Sequence, residues 1–205
     1  IGIQNFEKIR KDGYFYIDKT ALIYQMVKTG SYYFLSRPRR FGKSLLVSTL
    51  DAYFRGKKDL FQGLAMERLE KEWNVYPVLH LDFSMTKYTA LSDLLGQLNL
   101  NLYDWEKLYG KEEVEGTPAE RFRGVIRRAY EQTGKPVVVL IDEYDAPLLD
   151  SNHLPELQNE LREEMRKFFS PLKAQGEYLR FLFLTGISKF SQMSIFSELN
   201  NLQNI

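Results

Sequence analysis

The stretch Tyr32–Leu46, YYFLSRPRRFGKSLL, decides the fold of this chain. Its first residues, Tyr32 to Leu35, form an apolar run that predicts a strand, and the periodic apolar residues after Ser44 predict a helix. Between them lies a basic, proline-containing loop that ends in Gly-Lys-Ser. A strand, such a loop and a helix in this order are the context in which a phosphate-binding P-loop is expected.

Each part of this loop suits phosphate chemistry. Backbone N–H groups of the loop and of the helix N-terminus surround a phosphate. Gly42 allows close approach of the backbone, Lys43 reaches the terminal phosphates, and the Ser44 hydroxyl is a magnesium ligand. The residues predicted to bind nucleotide here are Arg37, Pro38, Arg39, Arg40, Phe41, Gly42, Lys43, Ser44 and Leu45. Arg37 stands where the general motif begins with glycine, and Gly-Lys-Ser alone is a weak signal, so the rest of the chain has to decide.

The composition indicates an ordinary soluble globular protein. The chain has 205 residues, of which 44% are hydrophobic and 27% charged, and it carries a net charge of +1. We expect one domain over residues 1–205, with a lead-in at 1–30 and a nucleotide-binding core at 31–205. The absence of cysteine excludes disulfides and thiolate metal sites and fits a cytoplasmic protein. No apolar run approaches the ~20 residues of a membrane-spanning helix, so a membrane is not an expected partner.

Four apolar segments alternate with helical patterns along the chain. The predicted strands cover residues 32–35, 77–84, 136–141 and 180–185. Strands that alternate with helices favour an α/β fold, with a mainly parallel sheet between two helical layers. Ligands of such sheets bind beyond the carboxyl ends of the strands, where this chain concentrates its polar residues.

The third strand ends in two adjacent carboxylates, Asp142 and Glu143. Asp142 is the predicted magnesium ligand opposite Ser44, and Glu143 is the predicted general base that polarises the attacking water. A carboxylate at a buried strand end is costly unless it is paired or binds a cation. The alternative is an exposed turn that leads into Tyr144. Together with Gly-Lys-Ser upstream, the acidic pair favours nucleoside triphosphate hydrolysis.

Several separated runs resemble the AAA-ATPase-like family, a group of bacterial and archaeal P-loop proteins. These runs are Phe6–Arg10, Tyr16–Thr20, Phe34–Ser44, Asp142–Asp145 and Thr185–Phe190. The resemblance implies a P-loop ATPase of the additional-strand class and makes Arg37 part of the family's own loop pattern. It also implies that a nuclease-like domain of the restriction-endonuclease type commonly follows. We expect this chain to stop before the fifth strand and helical lid of such ATPases.

The resemblance suggests further roles and leaves each with an alternative. Thr185 is expected to sense the γ-phosphate, or else to be a simple strand-end hydroxyl. Five residues of the lead-in are expected to frame the adenine base or to form a packing arm, namely Ile9, Arg10, Tyr16, Asp18 and Lys19. Arg39 and Arg40 are candidates for phosphate contact, for action across a subunit interface, or for solvation of the loop.

The expected function is an ATP hydrolase that uses Mg²⁺, slow as this isolated chain, which couples nucleotide state to an attached or partner domain. The alternative is a scaffold or signalling module that binds ATP without hydrolysing it. A P-loop kinase is disfavoured, because a kinase needs no water-activating residue at the position of Glu143. Nucleic acid and a second copy of the chain are candidate partners.

Overall fold

A five-stranded sheet lies between two layers of helices in the computed structural model, which describes residues 3–187, 195–197, 199 and 201–205. The strands are β1 (Tyr32–Ser36), β2 (Val78–Asp82), β3 (Val137–Asp142), β4 (Leu179–Gly186) and β5 (Gln203–Asn204). Their order across the sheet is β2-β3-β4-β1-β5, and every pairing is parallel. The predicted α/β class with a mainly parallel sheet is confirmed.

Nine α-helices cover the two faces of the sheet in the described part of the chain. They are α1 (Phe6–Lys11), α2 (Thr20–Thr29), α3 (Lys43–Phe54), α4 (Ala65–Leu69), α5 (Leu91–Tyr109), α6 (Pro118–Thr133), α7 (Ala146–Asp150), α8 (Pro155–Phe169) and α9 (Pro171–Ala174). None of the helices in these ranges is both long and apolar enough to cross a membrane.

Alternation along the strands divides the core into two clusters. On β3, Val137, Val139 and Ile141 pack with α5, α6 and α8 on one face. Val138 and Leu140 pack with α2 and α3 on the other face. All of β3 is buried, as expected for the central strand of a sheet covered on both sides.

The expectation that the chain stops before a fifth strand is wrong. Gln203 and Asn204 pair with Tyr33 and Phe34 of β1, and the Ile205 amide donates to the Phe34 carbonyl at 3.0 Å. This strand is two residues long, polar and exposed. It therefore has neither the apolar run nor the alternation by which the other strands are recognised.

The segment before β1 packs against the helix of the P-loop and is part of the domain core. Phe6 on α1 is fully buried, and its amide donates to the Ser48 hydroxyl on α3 at 2.9 Å. Arg10 donates to the carbonyl oxygens of Leu60 and Gln62, at 2.8 and 2.6 Å. These contacts fix the lead-in against α3 and against the turn that follows it.

A buried ion pair holds the acidic loop 110–117 against α6. Arg128 donates to both oxygens of Glu115, at 2.6 and 3.1 Å, and each of these residues is less than a tenth exposed. The loop can approach this closely because Gly124 has no side chain. A Cβ atom at Gly124 would lie 1.7 Å from Glu115 Oε1.

Gly124→Ala is therefore expected to destabilise the protein. Alanine in a helix normally gains about 1 kcal/mol over glycine, whereas disrupting a buried ion pair costs about 3–5 kcal/mol. The net loss of about 2–4 kcal/mol is to be measured by urea unfolding. Gly96→Ala in α5 is the matched control and should stabilise slightly, since a Cβ there meets no atom of the described residues within 4 Å. Equal stability of the two variants would contradict the role of the Glu115–Arg128 pair.

Candidate active site

The carboxyl ends of β1, β3 and β4 bring the predicted site residues to one edge of the sheet. In the parallel register, Leu35 lies opposite Thr185, and Ser36 lies opposite Gly186. Asp142 is the last residue of β3 and lies opposite Asp82 of β2. The sheet topology therefore places the P-loop, the acidic pair and Thr185 together.

The P-loop connects β1 to α3 and curls around the ammonium group of Lys43. Lys43 is buried and donates to the carbonyl oxygens of Arg37 and Pro38, at 3.0 and 3.1 Å. Gly42 is the N-cap of α3, with a φ of 75° that favours glycine, and as a glycine it has no side chain with which to cap this helix. The N-terminus of α3 is accordingly available to an anion, and Lys43 lies beside it.

The exposed side chains of the loop point in different directions. Phe41 is 67% exposed and lines a large cavity beside the loop. The guanidinium group of Arg37 is bonded to backbone carbonyls of Ser36 and Ile205. Arg39 and Arg40 are both exposed. The positive charge of Arg39 lowers the pKa of Glu143 and so opposes the effect of burial. Arg40 adopts a φ of 68°, in the left-handed region.

Asp142 is held by Thr185. Asp142 is 3% exposed and accepts a hydrogen bond from the Thr185 hydroxyl, which is itself fully buried. The same hydroxyl accepts from the Glu143 amide at 3.1 Å. Thr185 thus fixes both the carboxylate of Asp142 and the backbone of the next residue.

Glu143 lies at a sharp turn after β3. Its φ is 49°, an uncommon value for a residue with a side chain. Burial raises the pKa of Glu143, and the neighbouring charge of Asp142 raises it further, while Lys43 opposes the change. The ammonium group of the P-loop and the two carboxylates therefore belong to one electrostatic cluster.

A polar groove of about 540 Å³ joins the P-loop helix to the acidic residues. Ser44 and Asp142, the two predicted magnesium ligands, both line it, together with Asp82. Hydroxyl and carboxylate oxygens are the donors that Mg²⁺ prefers. The donor set of this groove therefore fits a magnesium ion. Asp82 also caps the following turn, because its carboxylate accepts from the amide and hydroxyl of Ser84 at 2.8 and 2.6 Å.

A second, mostly apolar cavity lies beside the P-loop. Its volume of about 900 Å³ is within the ~300–1,000 Å³ of small-molecule sites. Its walls come from the lead-in, α2, the P-loop and β5. They include Ile9, Tyr16, Lys19, Phe41, Gly42, Leu45, Gln203 and Ile205. Arg10 does not line this cavity, since it is bonded to the carbonyls after α3. Its predicted contact with a base stays a prediction.

No role was predicted for Asp145 and Gly186. Both hold the turn at Glu143, which follows β3, against the end of β4. Asp145 is 1% exposed and accepts from the Ile187 amide at 2.8 Å. A Cβ at Gly186 would lie 2.3 Å from the ring of Tyr144, so only glycine admits that ring. A signal for them was present, since the runs Asp142–Asp145 and Thr185–Phe190 begin at the ends of β3 and β4. Residues 188–190 of the latter run lie outside the described residues.

Comparison with known proteins identifies similar sequences. The profile of a family described as predicted AAA-ATPase matches residues 1–196. A curated relative from Azotobacter chroococcum mcd 1, the uncharacterized protein in vnfD 5'region, is 42% identical over 206 aligned residues. The alignment covers all of this chain and 40% of the relative, so the chain spans about two fifths of that protein's length.

Proposed function

Because the chain belongs to the predicted AAA-ATPase family, we propose that it binds ATP with Mg²⁺ and hydrolyses it at the edge formed by β1, β3 and β4. The observation that carries this proposal is the joint placement of Lys43 and Glu143. Lys43 is buried in the loop that follows β1, and Glu143 follows β3 at the same edge of the sheet. Between these strands, the Thr185 hydroxyl of β4 accepts from the Glu143 amide at 3.1 Å. Phosphate binding and water activation thereby share one centre.

The strand order supports the predicted additional-strand class of ATPase. Strand β4 lies between β1, which precedes the P-loop, and β3, which carries the acidic pair. An extra strand between these two is typical of that class, and on this ground we propose that the chain belongs to it.

The proposed substrate position uses both cavities. The triphosphate lies against the P-loop and the N-terminus of α3, where Lys43 exchanges two neutral carbonyl partners for phosphate oxygens. Such charge-assisted hydrogen bonds are roughly twice as strong as neutral ones. The adenine base enters the apolar cavity, where Ile9 and Tyr16 form one wall and Phe41 another.

The geometry supports the following chemical roles. Ser44 and Asp142 would hold Mg²⁺, which would neutralise phosphate charge. Thr185 keeps the Asp142 carboxylate in place through its hydrogen bond, and this positioning role differs from the predicted sensing of the γ-phosphate. Glu143 takes a proton from the attacking water. Because the pKa of Glu143 is raised, its carboxylate is a stronger base than an ordinary glutamate.

The position of Glu143 also favours hydrolysis over a scaffold that only binds ATP. An acid in the left-handed region, beside a second acid, carries costs in backbone conformation and in charge repulsion. Such costs are characteristic of catalytic sites, whereas binding alone needs no ionisable group there. Coupling of hydrolysis to a partner domain is part of the proposal, because the matching relative is much longer than this chain.

Asp142→Asn tests the magnesium assignment. Phosphate release from ATP by the wild type is expected to depend on Mg²⁺. In Asp142→Asn the Mg²⁺ concentration for half-maximal rate should rise at least about tenfold, since the site loses its charged ligand. Asp150→Asn is the control, because Asp150 is bonded to the Tyr88 amide and lies outside the groove. Mg²⁺-independent release by the wild type would overturn the assignment.

A further inference from the structure

Four large apolar side chains around the cavity beside the P-loop are exposed to solvent. Phe15 is 90% exposed, and Ile17, Leu22 and Phe41 are 65–67% exposed. All four line the cavity of about 900 Å³ that receives the base in the proposed function. A cluster of exposed apolar side chains is typical of a binding surface, because a ligand that covers it removes apolar area from water. Apolar contact is therefore the main attraction that this cavity offers to a base.

The hydroxyl groups of Thr29, Tyr33 and Thr49 line this cavity, and each already donates its proton to the protein. The acceptors are backbone carbonyls of α2 and α3, at 2.8–2.9 Å. A hydroxyl that has donated its one proton can only accept from a ligand. Both purines offer it a proton, adenine from the 6-amino group and guanine from the 2-amino group. The chemistry of these hydroxyls therefore does not select one purine.

Three further polar side chains of the cavity wall, Lys19, Gln25 and Gln203, are exposed to solvent. Their hydrogen bonds to a base replace hydrogen bonds to water, so each changes affinity by about tenfold at most. By contrast, a site that reads its substrate with buried hydrogen-bonding groups rejects an analogue by about 10⁴- to 10⁵-fold. The side chains described around this cavity are thus suited to weak discrimination between bases.

We propose that the base is recognised by apolar contact and shape, so that the site binds triphosphates of both purines and of purines enlarged by an apolar substituent. The volume of about 900 Å³ is near the upper end of the ~300–1,000 Å³ of small-molecule sites, which leaves room beyond a purine. An apolar substituent on the base covers side chains such as Phe15 and Leu22, which are otherwise exposed. This inference rests on the proposed binding of a nucleoside triphosphate.

Calorimetry of the wild type with ATP, GTP and N6-benzyl-ATP, each with Mg²⁺, tests this inference. The affinities for ATP and GTP should differ by less than about tenfold, since exposed hydrogen bonds alone distinguish them. N6-benzyl-ATP should bind at least as tightly as ATP, because its phenyl ring covers apolar side chains that ATP leaves in water. A difference of about tenfold or more between ATP and GTP, or weaker binding of N6-benzyl-ATP than of ATP, would overturn the inference.

Two variants separate apolar contact from reading by hydrogen bonds. Phe41→Ala should weaken ATP and GTP by the same factor, about threefold or more, because both bases lose one apolar wall. Gln25→Ala should leave the ratio of the two affinities within about threefold of the wild-type ratio. Leu108→Ala is the matched control, since Leu108 is as exposed as Phe41 but lies on α5, outside the cavity. A larger change of the ratio in either variant would contradict recognition by shape.

Tripolyphosphate, which has no base, separates this inference from the proposed function. If ATP binds but GTP differs from it by about tenfold or more, the proposed function stands and the inference about the base fails alone. If neither ATP nor tripolyphosphate binds in the presence of Mg²⁺, the proposed function fails, and the inference fails with it.

Discussion

Lys43→Ala is expected to abolish binding of ATP in the presence of Mg²⁺. Lys43 is the cation inside the curl of the P-loop, buried to 4% exposure and bonded to two loop carbonyls. Hydrogen bonds to charged groups contribute about 1.5–3 kcal/mol each. Loss of two such bonds to phosphates weakens affinity by about 10²- to 10⁴-fold, since about 1.4 kcal/mol corresponds to a factor of ten.

Displacement of a fluorescent nucleotide measures this loss directly. Lys58→Ala is the matched control, because Lys58 is exposed in the turn after α3 and should leave affinity unchanged. Circular dichroism must show that Lys43→Ala is folded, since the variant also removes the two bonds that shape the loop. A folded Lys43→Ala protein with wild-type affinity would show that the nucleotide does not bind at this loop.

Glu143→Gln is expected to keep nucleotide affinity and to lower turnover by about 10²-fold or more, the scale of a lost general base. Glutamine has nearly the same shape but does not accept a proton from water at neutral pH. The change also removes the repulsion between Glu143 and Asp142, so the fold should be at least as stable as in the wild type. Reduced turnover in this variant is therefore not an effect of unfolding.

Steady-state phosphate release and nucleotide displacement, measured on the same protein samples, separate chemistry from binding. Glu131→Gln is the control, an exposed acid near the end of α6 that should hydrolyse ATP at the wild-type rate. Wild-type turnover by Glu143→Gln would remove Glu143 from the mechanism. It would leave an ATP-binding scaffold as the better account of the site.

The parts of the site carried by long apolar strands could be predicted from the sequence. The run before the P-loop and the run before Asp142 indicate buried parallel strands, whose carboxyl ends meet at one edge. This geometry alone brings Lys43, Asp142 and Thr185 together. Local sequence signals also mark the bounds of α6, because Thr117 and Glu120 form a capping box at its start and Gly134 ends it in the left-handed conformation.

Features that depend on contacts between distant residues could not be predicted. Strand β5 consists of two polar residues, so its pairing with β1 leaves no pattern in the sequence. Arg37 binds the carbonyl of a residue 168 positions away, and no local rule selects that partner. The sequence alone also could not decide whether the lead-in is a packing arm or a segment that binds the base. In the structure Phe6 packs on α3 while Ile9 and Tyr16 line the cavity beside the P-loop.

Titration calorimetry of the wild type with ATP, in the presence and absence of Mg²⁺, tests the central claim most directly. The claim is that the P-loop and the Asp142 carboxylate form one site for magnesium and triphosphate. It predicts one ATP bound per chain with Mg²⁺, and an affinity at least about tenfold weaker without it, because Ser44 and Asp142 then have no cation to share with the phosphates. Absence of binding, or equal affinity with and without Mg²⁺, would contradict the claim.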